Sequence, residues 1–165
     1  MPEEYDDDQE GLELPPPFFP YGGDSLEGDG IDGSEPVEVS VEGVFASDHN
    51  GNIQRFVLLS DGDRKLPILI GGFEASAITL SLEGNSAPRP MPHDLIKTLI
   101  DKLGAELEKI LIDDLLSTTY YAQLFLKMGD REITLDARPS DAIAIALRCE
   151  KPILVANRIL NQSIQ

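Results

Sequence analysis

The stretch "EITLDARPSDAIAIALR", residues Glu132–Arg148, reads as a strand that runs through a corner into a helix. Its opening "EITLD" alternates polar and apolar at period two, the pattern of a strand with one face in water. After Ser140 the apolar residues crowd into an Ala- and Ile-rich run that suits a buried helix. Pro139 marks the change, because a proline at the first helical position gives up an N–H that is unpaired there anyway. Four polar side chains, Asp136, Arg138, Ser140 and Asp141, fall within six positions at this corner.

Working outward, "ELEKILIDDLLS" (Glu106–Ser117) and "YYAQLFLKM" (Tyr120–Met128) read as strands, and a Gly129-Asp130-Arg131 turn leads back into "EITLD". Asp113-Asp114 interrupts the first of these, so one of the two acids must point inward or sit at a bend. "PILVA" (Pro152–Ala156) follows the helix as a short strand. The first half of the chain has the same grammar. "VEVSVEGVFA" (Val37–Ala46), "IQRFVLLS" (Ile53–Ser60) and "KLPILI" (Lys65–Ile70) are strands separated by "SDHNGN" and "DGDR" turns. A helix starts at Gly71-Gly72, carries Ala75, Ile78, Thr79 and Leu82 on one face, and stops at Gly84. After the proline-studded loop "NSAPRPMP", the helix "HDLIKTLIDKLG" places Leu95, Ile96, Leu99, Ile100 and Leu103 at helical spacing. Each half thus gives strands, a Gly-Asp-Arg turn, a strand and a helix bearing Ala-Ile. The fold class that follows is α+β, with mixed or antiparallel sheets from two similar strand-meander-plus-helix units and a further helix between them.

The chain has 165 residues and a formal charge of −17, distributed unevenly. Residues 1–36 hold 12 of the 30 acids and none of the 13 bases, which leaves 18 acids against 13 bases in residues 37–165. The front segment is rich in Gly, Pro and acid, has no hydrophobic period, and reads as a disordered tail. Its "LELPPPFFPYGG" (Leu12–Gly23) can present polyproline II with Phe18, Phe19 and Tyr21 to a protein partner, or serve as a plain linker. Residues 37–165 are then the folded domain, mildly acidic and without the basic footprint of a strong nonspecific nucleic-acid binder. No run approaches the roughly 18 to 20 apolar residues that cross a bilayer, so no membrane association is expected. The acidic first residues are unlike a secretory signal. One cysteine, Cys149, permits neither an internal disulfide nor a cysteine-based zinc cluster, and its place at the end of an apolar helix suits an inert thiol. A cytoplasmic protein is expected.

The corner supports two readings. Capping chemistry explains all four polar residues: Ser140 or Asp141 accepts from free N–H groups, and Arg138 pairs with Asp136 or Asp141. A functional site uses the same geometry, with Arg138 beside a helix start to receive a phosphate and two carboxylates to orient water or a divalent ion. A second constellation, Arg89, His93 and Asp94, stands at the start of the middle helix. There His93 serves as a base or a ligand, or His93 or Asp94 simply caps the helix. Glu74 begins the first helix at a place resembling Ser140 and Asp141. His49 lies on a turn and faces solvent. Metal-protease, EF-hand, Walker A and nucleophile-elbow motifs are all missing, so no cofactor is evident from motifs, although Mg²⁺ or Mn²⁺ is compatible with the carboxylates.

Taken together, "LPILIGGFEASAI", "RPMPHDLIKTLIDKLGAELEKILIDDL", "YYAQLFL" and "LDARPSDAIAIALRCEKPILV" resemble the bifunctional nuclease domain family, long also catalogued as a domain of unknown function. The resemblance covers about residues 37–160. Its Arg-Pro-Ser-Asp-Ala is met by Arg138, Pro139, Ser140, Asp141 and Ala142, its His-Asp-Leu by His93, Asp94 and Leu95, and its Ile-Gly-x-x-Glu-Ala by Ile70, Gly71, Glu74 and Ala75. The resemblance implies a bacterial or plant-type, mixed α+β, homo-oligomeric nuclease that cleaves DNA and RNA. On this reading Asp136, Arg138, Ser140, Asp141, His93 and Asp94 are the candidate catalytic residues, and Arg89 and Glu74 the candidate substrate-binding ones. Substrates are then single-stranded or duplex nucleic acid. The alternative is a non-enzymatic module that binds an anion or a partner through the same corner.

Overall fold

The computed structural model describes residues 35–162. The acidic segment assigned to residues 1–36 therefore lies, but for its last two residues, outside the described residues. The strands are β1 (Val37–His49), β2 (Asn52–Ser60), β3 (Lys65–Ile70), β4 (Glu106–Leu116), β5 (Thr119–Met128), β6 (Arg131–Ala137) and β7 (Ile153–Val155). The helices among the described residues are α1 (Gly72–Leu82), α2 (Pro92–Lys102), α3 (Pro139–Cys149) and α4 (Asn157–Asn161). One seven-stranded mixed sheet runs in the order β3-β2-β1-β7-β4-β5-β6. Two antiparallel meanders, β1–β2–β3 and β4–β5–β6, make its wings. Short β7 joins them, antiparallel to β1 and parallel to β4.

The fold is α+β, as the residue patterns predict. Each meander continues into a helix of eleven residues, β3 into α1 and β6 into α3, and α2 comes between the units. The two Gly-Asp-Arg strings occupy different places, however. Gly62 to Arg64 belong to the connection between Ser60 and Lys65, whereas Gly129-Asp130 is a two-residue connection and Arg131 already opens β6. Arg64 turns back onto Asp61 and also donates to Asn157 and Asn161 of α4, tying the short terminal helix to the β2–β3 turn. No sequence pattern pointed to α4.

α1 and α3 pack against each other and over the meanders. Ala77-Ile78 and Ala142-Ile143 are all 0% exposed, so the repeated Ala-Ile string marks the helix faces of the core. Small alanines let the helices approach closely. Each isoleucine contributes about 1.5–3 kcal/mol by leaving water. Two helix faces depart from the simple periodic expectation. On α1, Leu82 is half exposed while Ala77 faces the core. Along α2 and its caps, Leu95, Ile96, Leu99 and Leu103 stay exposed, and of the expected apolar face only Ile100 turns to the body, together with Met91 and His93. A polar tether explains the rotation of α2: His93 and Asp94 are fastened to α3 by hydrogen bonds. On β4 the register shifts between Ile112 and Asp114, so the Asp113-Asp114 pair does sit at an irregularity.

Candidate functional site

Three helix starts supply the site. α1, α2 and α3 each place an acid at their third position, Glu74, Asp94 and Asp141, where the helix dipole favours negative charge. Their N-cap residues Gly71, Met91 and Arg138 make no side-chain cap hydrogen bond. In α2, Asp94 serves the cap from inside the helix, since its Oδ2 accepts from the Met91 N–H at 2.8 Å. Its Oδ1 accepts from Arg148 Nε at 2.6 Å, and Arg148 also donates to the Ala144 carbonyl in its own helix at 2.9 Å. The Arg148 hydrogen bond is the chief reason that the Asp94 carboxyl titrates below its ordinary value.

Arg138 ties the starts of α1 and α3 together. Its Nε donates to Asp141 Oδ2 at 2.7 Å and its Nη2 to Asp141 Oδ1 at 3.1 Å, while Nη1 pairs with Glu74 Oε1 at 3.0 Å. α2 adds the fourth member: His93 Nε2 lies 2.9 Å from Asp141 Oδ1. Because an ionised carboxylate only accepts, Nε2 carries the hydrogen. His93 is buried, and its Nδ1 has no partner among the described residues. Burial is the largest influence on Asp141 and pushes its carboxyl up. The hydrogen bonds from Arg138 and His93 outweigh that push and hold it below the ordinary range. Asp141 in turn raises the Arg138 guanidinium, which stays charged.

The arrangement leaves chemistry to spare. A guanidinium has five N–H donors, and three are used here, so one on each Nη remains. With its side chain 64% exposed, Arg138 can turn those donors to an anion. Oδ2 of Asp141 accepts one bond and keeps a lone pair for a water. Gly71 makes room for this geometry, since a Cβ there meets Glu74 Oε2 at 2.3 Å.

Of the residues the sequence singled out, Glu74, His93, Arg138 and Asp141 converge, and Asp94 is adjacent but engaged with Arg148. Of the two partners expected for Arg138, Asp136 or Asp141, the structure pairs it with Asp141: α3 begins at Pro139 and carries Arg138 to the acid three positions on. Asp136 stays exposed on β6, opposite Gln123 of β5. Ser140 is buried without a hydrogen bond to the cluster, and Arg89 is exposed without an ion pair among the described residues. Asp94, rather than His93, caps α2. His49 is exposed, as expected, but is the last residue of β1, opposite Asn52, and not on the turn itself; burial raises the half-buried Cys149 thiol. Among the described residues no three His, Cys, Asp or Glu side chains are placed to hold a metal ion. Both Asp141 oxygens already accept hydrogen bonds, Oδ2 from Arg138 and Oδ1 from Arg138 and His93.

Sequence reasoning missed Arg148. It lies seven positions after Asp141, hence on the same face of α3, and that spacing was the available signal. Asp113 is half-buried on β4. Its Oδ2 accepts from Gln123 Nε2 at 2.7 Å while Oδ1 is buried without a partner among the described residues. Burial pushes its carboxyl up, and neighbouring Asp114 and Asp136 add to the effect.

A guanidinium, two carboxylates and an imidazole thus meet at the starts of three helices on an α+β sheet fold. The chain belongs to the bifunctional nuclease domain family, whose model matches residues 57–165. It is 44% identical over 126 residues to an uncharacterized protein of Mycobacterium tuberculosis, covering 76% of this chain and 75% of that one. Bifunctional nuclease 1 of Oryza sativa subsp. japonica is 35% identical over 105 residues, which is 61% of this chain and 32% of the rice protein. Bifunctional nuclease 2 of Arabidopsis thaliana is 33% identical over 93 residues, 54% of this chain and 28% of its own length. The chain thus spans about a third of these plant relatives. No helix among the described residues is long and apolar enough to cross a membrane.

Proposed function

We propose that the domain hydrolyses phosphodiester bonds of DNA and RNA at the Glu74–Arg138–Asp141–His93 cluster. The observation that carries this reading is Arg138: exposed, fixed by carboxylates from two helices, and still holding two unused N–H donors. Those donors receive the non-bridging phosphate oxygens and stabilise the charge that grows on them in the transition state. A water held by the spare lone pair of Asp141 attacks phosphorus, the bond to the leaving oxygen breaks, and that oxygen takes a proton from solvent. Asp141 orients the water and accepts its proton. His93 and Glu74 are positioning residues, the first for Asp141 and the second for Arg138. Family membership and the names of the plant relatives support the same reading.

The test is cleavage of single-stranded DNA and RNA by purified protein, with and without Mg²⁺, beside Asp141→Asn. A loss of about 10²–10³-fold in rate is expected for the variant. Undiminished cleavage by Asp141→Asn sinks the site. A second reading, a binding module without hydrolysis, is favoured by the lack of a three-ligand metal group among the described residues. It predicts oligonucleotide binding with no cleavage under any condition. With the nuclease reading goes a cytoplasmic homo-oligomer, for which the exposed Leu95 and Leu99 of α2 and its C-cap Leu103 offer apolar surface.

A further inference from the structure

A second feature lies on the other flank of α1. Between β1, β2 and α1 there is an open cavity of about 450 Å³, lined among others by Phe45, Arg55, Gly72, Ala75, Ser76 and Thr79. Arg55 is its charged group. In a chain with this excess of acid, the other half-buried arginines are satisfied: Arg64 pairs with Asp61, and Arg148 with Asp94. Arg55 is half-buried as well, yet its guanidinium has no hydrogen bond or ion pair among the described residues. Its Nη1 lies 3.6 Å from where a Cβ on Gly72 would stand, van der Waals distance, so the guanidinium rests against the start of α1.

The remaining walls suit a flat ring. Gly72, Ala75 and Ser76 form a floor of small side chains on α1, and Ser76 turns its hydroxyl onto the Gly72 carbonyl at 3.0 Å. Phe45 lines the cavity 45% exposed and is backed by Phe56, centroid to centroid 5.7 Å. Phe73, beside Gly72 in the chain, is 90% exposed. An unpaired guanidinium beside an exposed aromatic face calls for an occupant with a planar apolar body and a negative charge. The cavity also shares the first turn of α1 with the Arg138 cluster, since Gly72 lines the one and Glu74 holds the other.

We infer that this cavity is a nucleotide subsite for single-stranded nucleic acid, in which a base stacks on Phe45 and its phosphate pairs with Arg55. The inference rests on the nucleic-acid reading of the domain, but the subsite stands apart from the residues assigned to hydrolysis. Duplex fits poorly, because a paired base cannot leave its stack to enter a cavity without an unpairing cost.

The experiment is fluorescence anisotropy of the full chain with a labelled oligo(dT) of about 12 nucleotides in EDTA, repeated over a salt series. Arg55→Ala is expected to weaken binding about tenfold and to lower the salt slope by about one. Phe45→Ala is expected to lose about fivefold or more by removing the stacking face. Ser76→Leu, an exposed position that fills the cavity, should weaken binding to a similar degree with an unchanged melting temperature. Arg55→Lys, which keeps the charge, should lose less than Arg55→Ala. Binding unchanged in Arg55→Ala and Ser76→Leu overturns the subsite, even if the wild type cleaves DNA. Arg55-dependent binding by a wild type that never cleaves upholds the subsite and removes the nuclease reading instead. Failure of the wild type to bind the oligonucleotide, with Arg55-dependent capture of an acidic, aromatic peptide, overturns the nucleotide assignment in favour of a protein ligand.

Discussion

The β3–α1 and β6–α3 corners begin alike and end differently. Each passes from a strand through one extended residue, Gly71 or Arg138, into a helix of eleven residues with an acid at the third position. Each helix then buries an Ala-Ile pair completely. What differs is the cap residue itself. The first corner has a glycine, which leaves space for the Glu74 carboxylate. The second has Arg138, whose guanidinium reaches both third-position acids, its own Asp141 and Glu74 of the other unit. A turn is therefore made equally well with or without the arginine. The difference separates the part of each corner that builds the fold from the part that is free for chemistry.

The shared part should break first and hardest. Ile78→Ala and Ile143→Ala remove equivalent fully buried side chains, and each is expected to cost about 2–5 kcal/mol in chemical denaturation. A large loss in only one of them would show that the two helix faces are not equivalent in the core. A middle-sized effect comes from importing bulk into the first corner. Gly71→Ala pushes the Glu74 carboxylate aside and releases one anchor of Arg138. Stability should change by less than about 1 kcal/mol, because an exposed ion pair contributes little, while cleavage falls as it does in Glu74→Gln. If Gly71→Ala cleaves like wild type while Glu74→Gln does not, the crowding argument is wrong.

The smallest effect is read in acid. Asp141 has a folded-state pKa below its unfolded one, so its contribution to stability is fully present above the ordinary carboxylate value of about 4. That contribution disappears as pH falls through the lower folded value. Melting temperatures of wild type and Asp141→Asn should therefore converge below about pH 4 and separate above it. A gap that is constant with pH would mean that the Arg138 and His93 bonds do not favour the ionised form.

Much of this was legible because it is local. Alternation in "VEVSVEGVFA" and "EITLD", the glycine and proline punctuation and the repeated Ala-Ile string are short-range signals, and they gave the meanders, both corners and α2. The convergence of Glu74, His93, Arg138 and Asp141 is not local, since it brings together residues from three helices. The chain could nominate these residues one at a time, but their meeting depends on α1 packing on α3 and on the roll of α2. That roll also defeated the periodic reading of Leu95, Leu99 and Leu103. Apolar spacing identifies a face, whereas the polar tethers from His93 and Asp94 decide which face turns inward. The choice between Asp136 and Asp141 as partner of Arg138 was open for a similar reason: both are within three residues of it in sequence, and only the helix start carries the arginine to Asp141.

The account stands or falls on Arg138, and the most direct measurement is the rate at which homogeneous protein cleaves single-stranded DNA as wild type, Arg138→Lys and Arg138→Ala. A lysine keeps the charge but cannot hold Asp141 and Glu74 with one planar fork. The account predicts that both variants stay folded and that each loses about 10²-fold or more in rate, with lysine recovering little. Cleavage by Arg138→Ala at the wild-type rate would contradict it and reduce the cluster to the hardware of two helix starts.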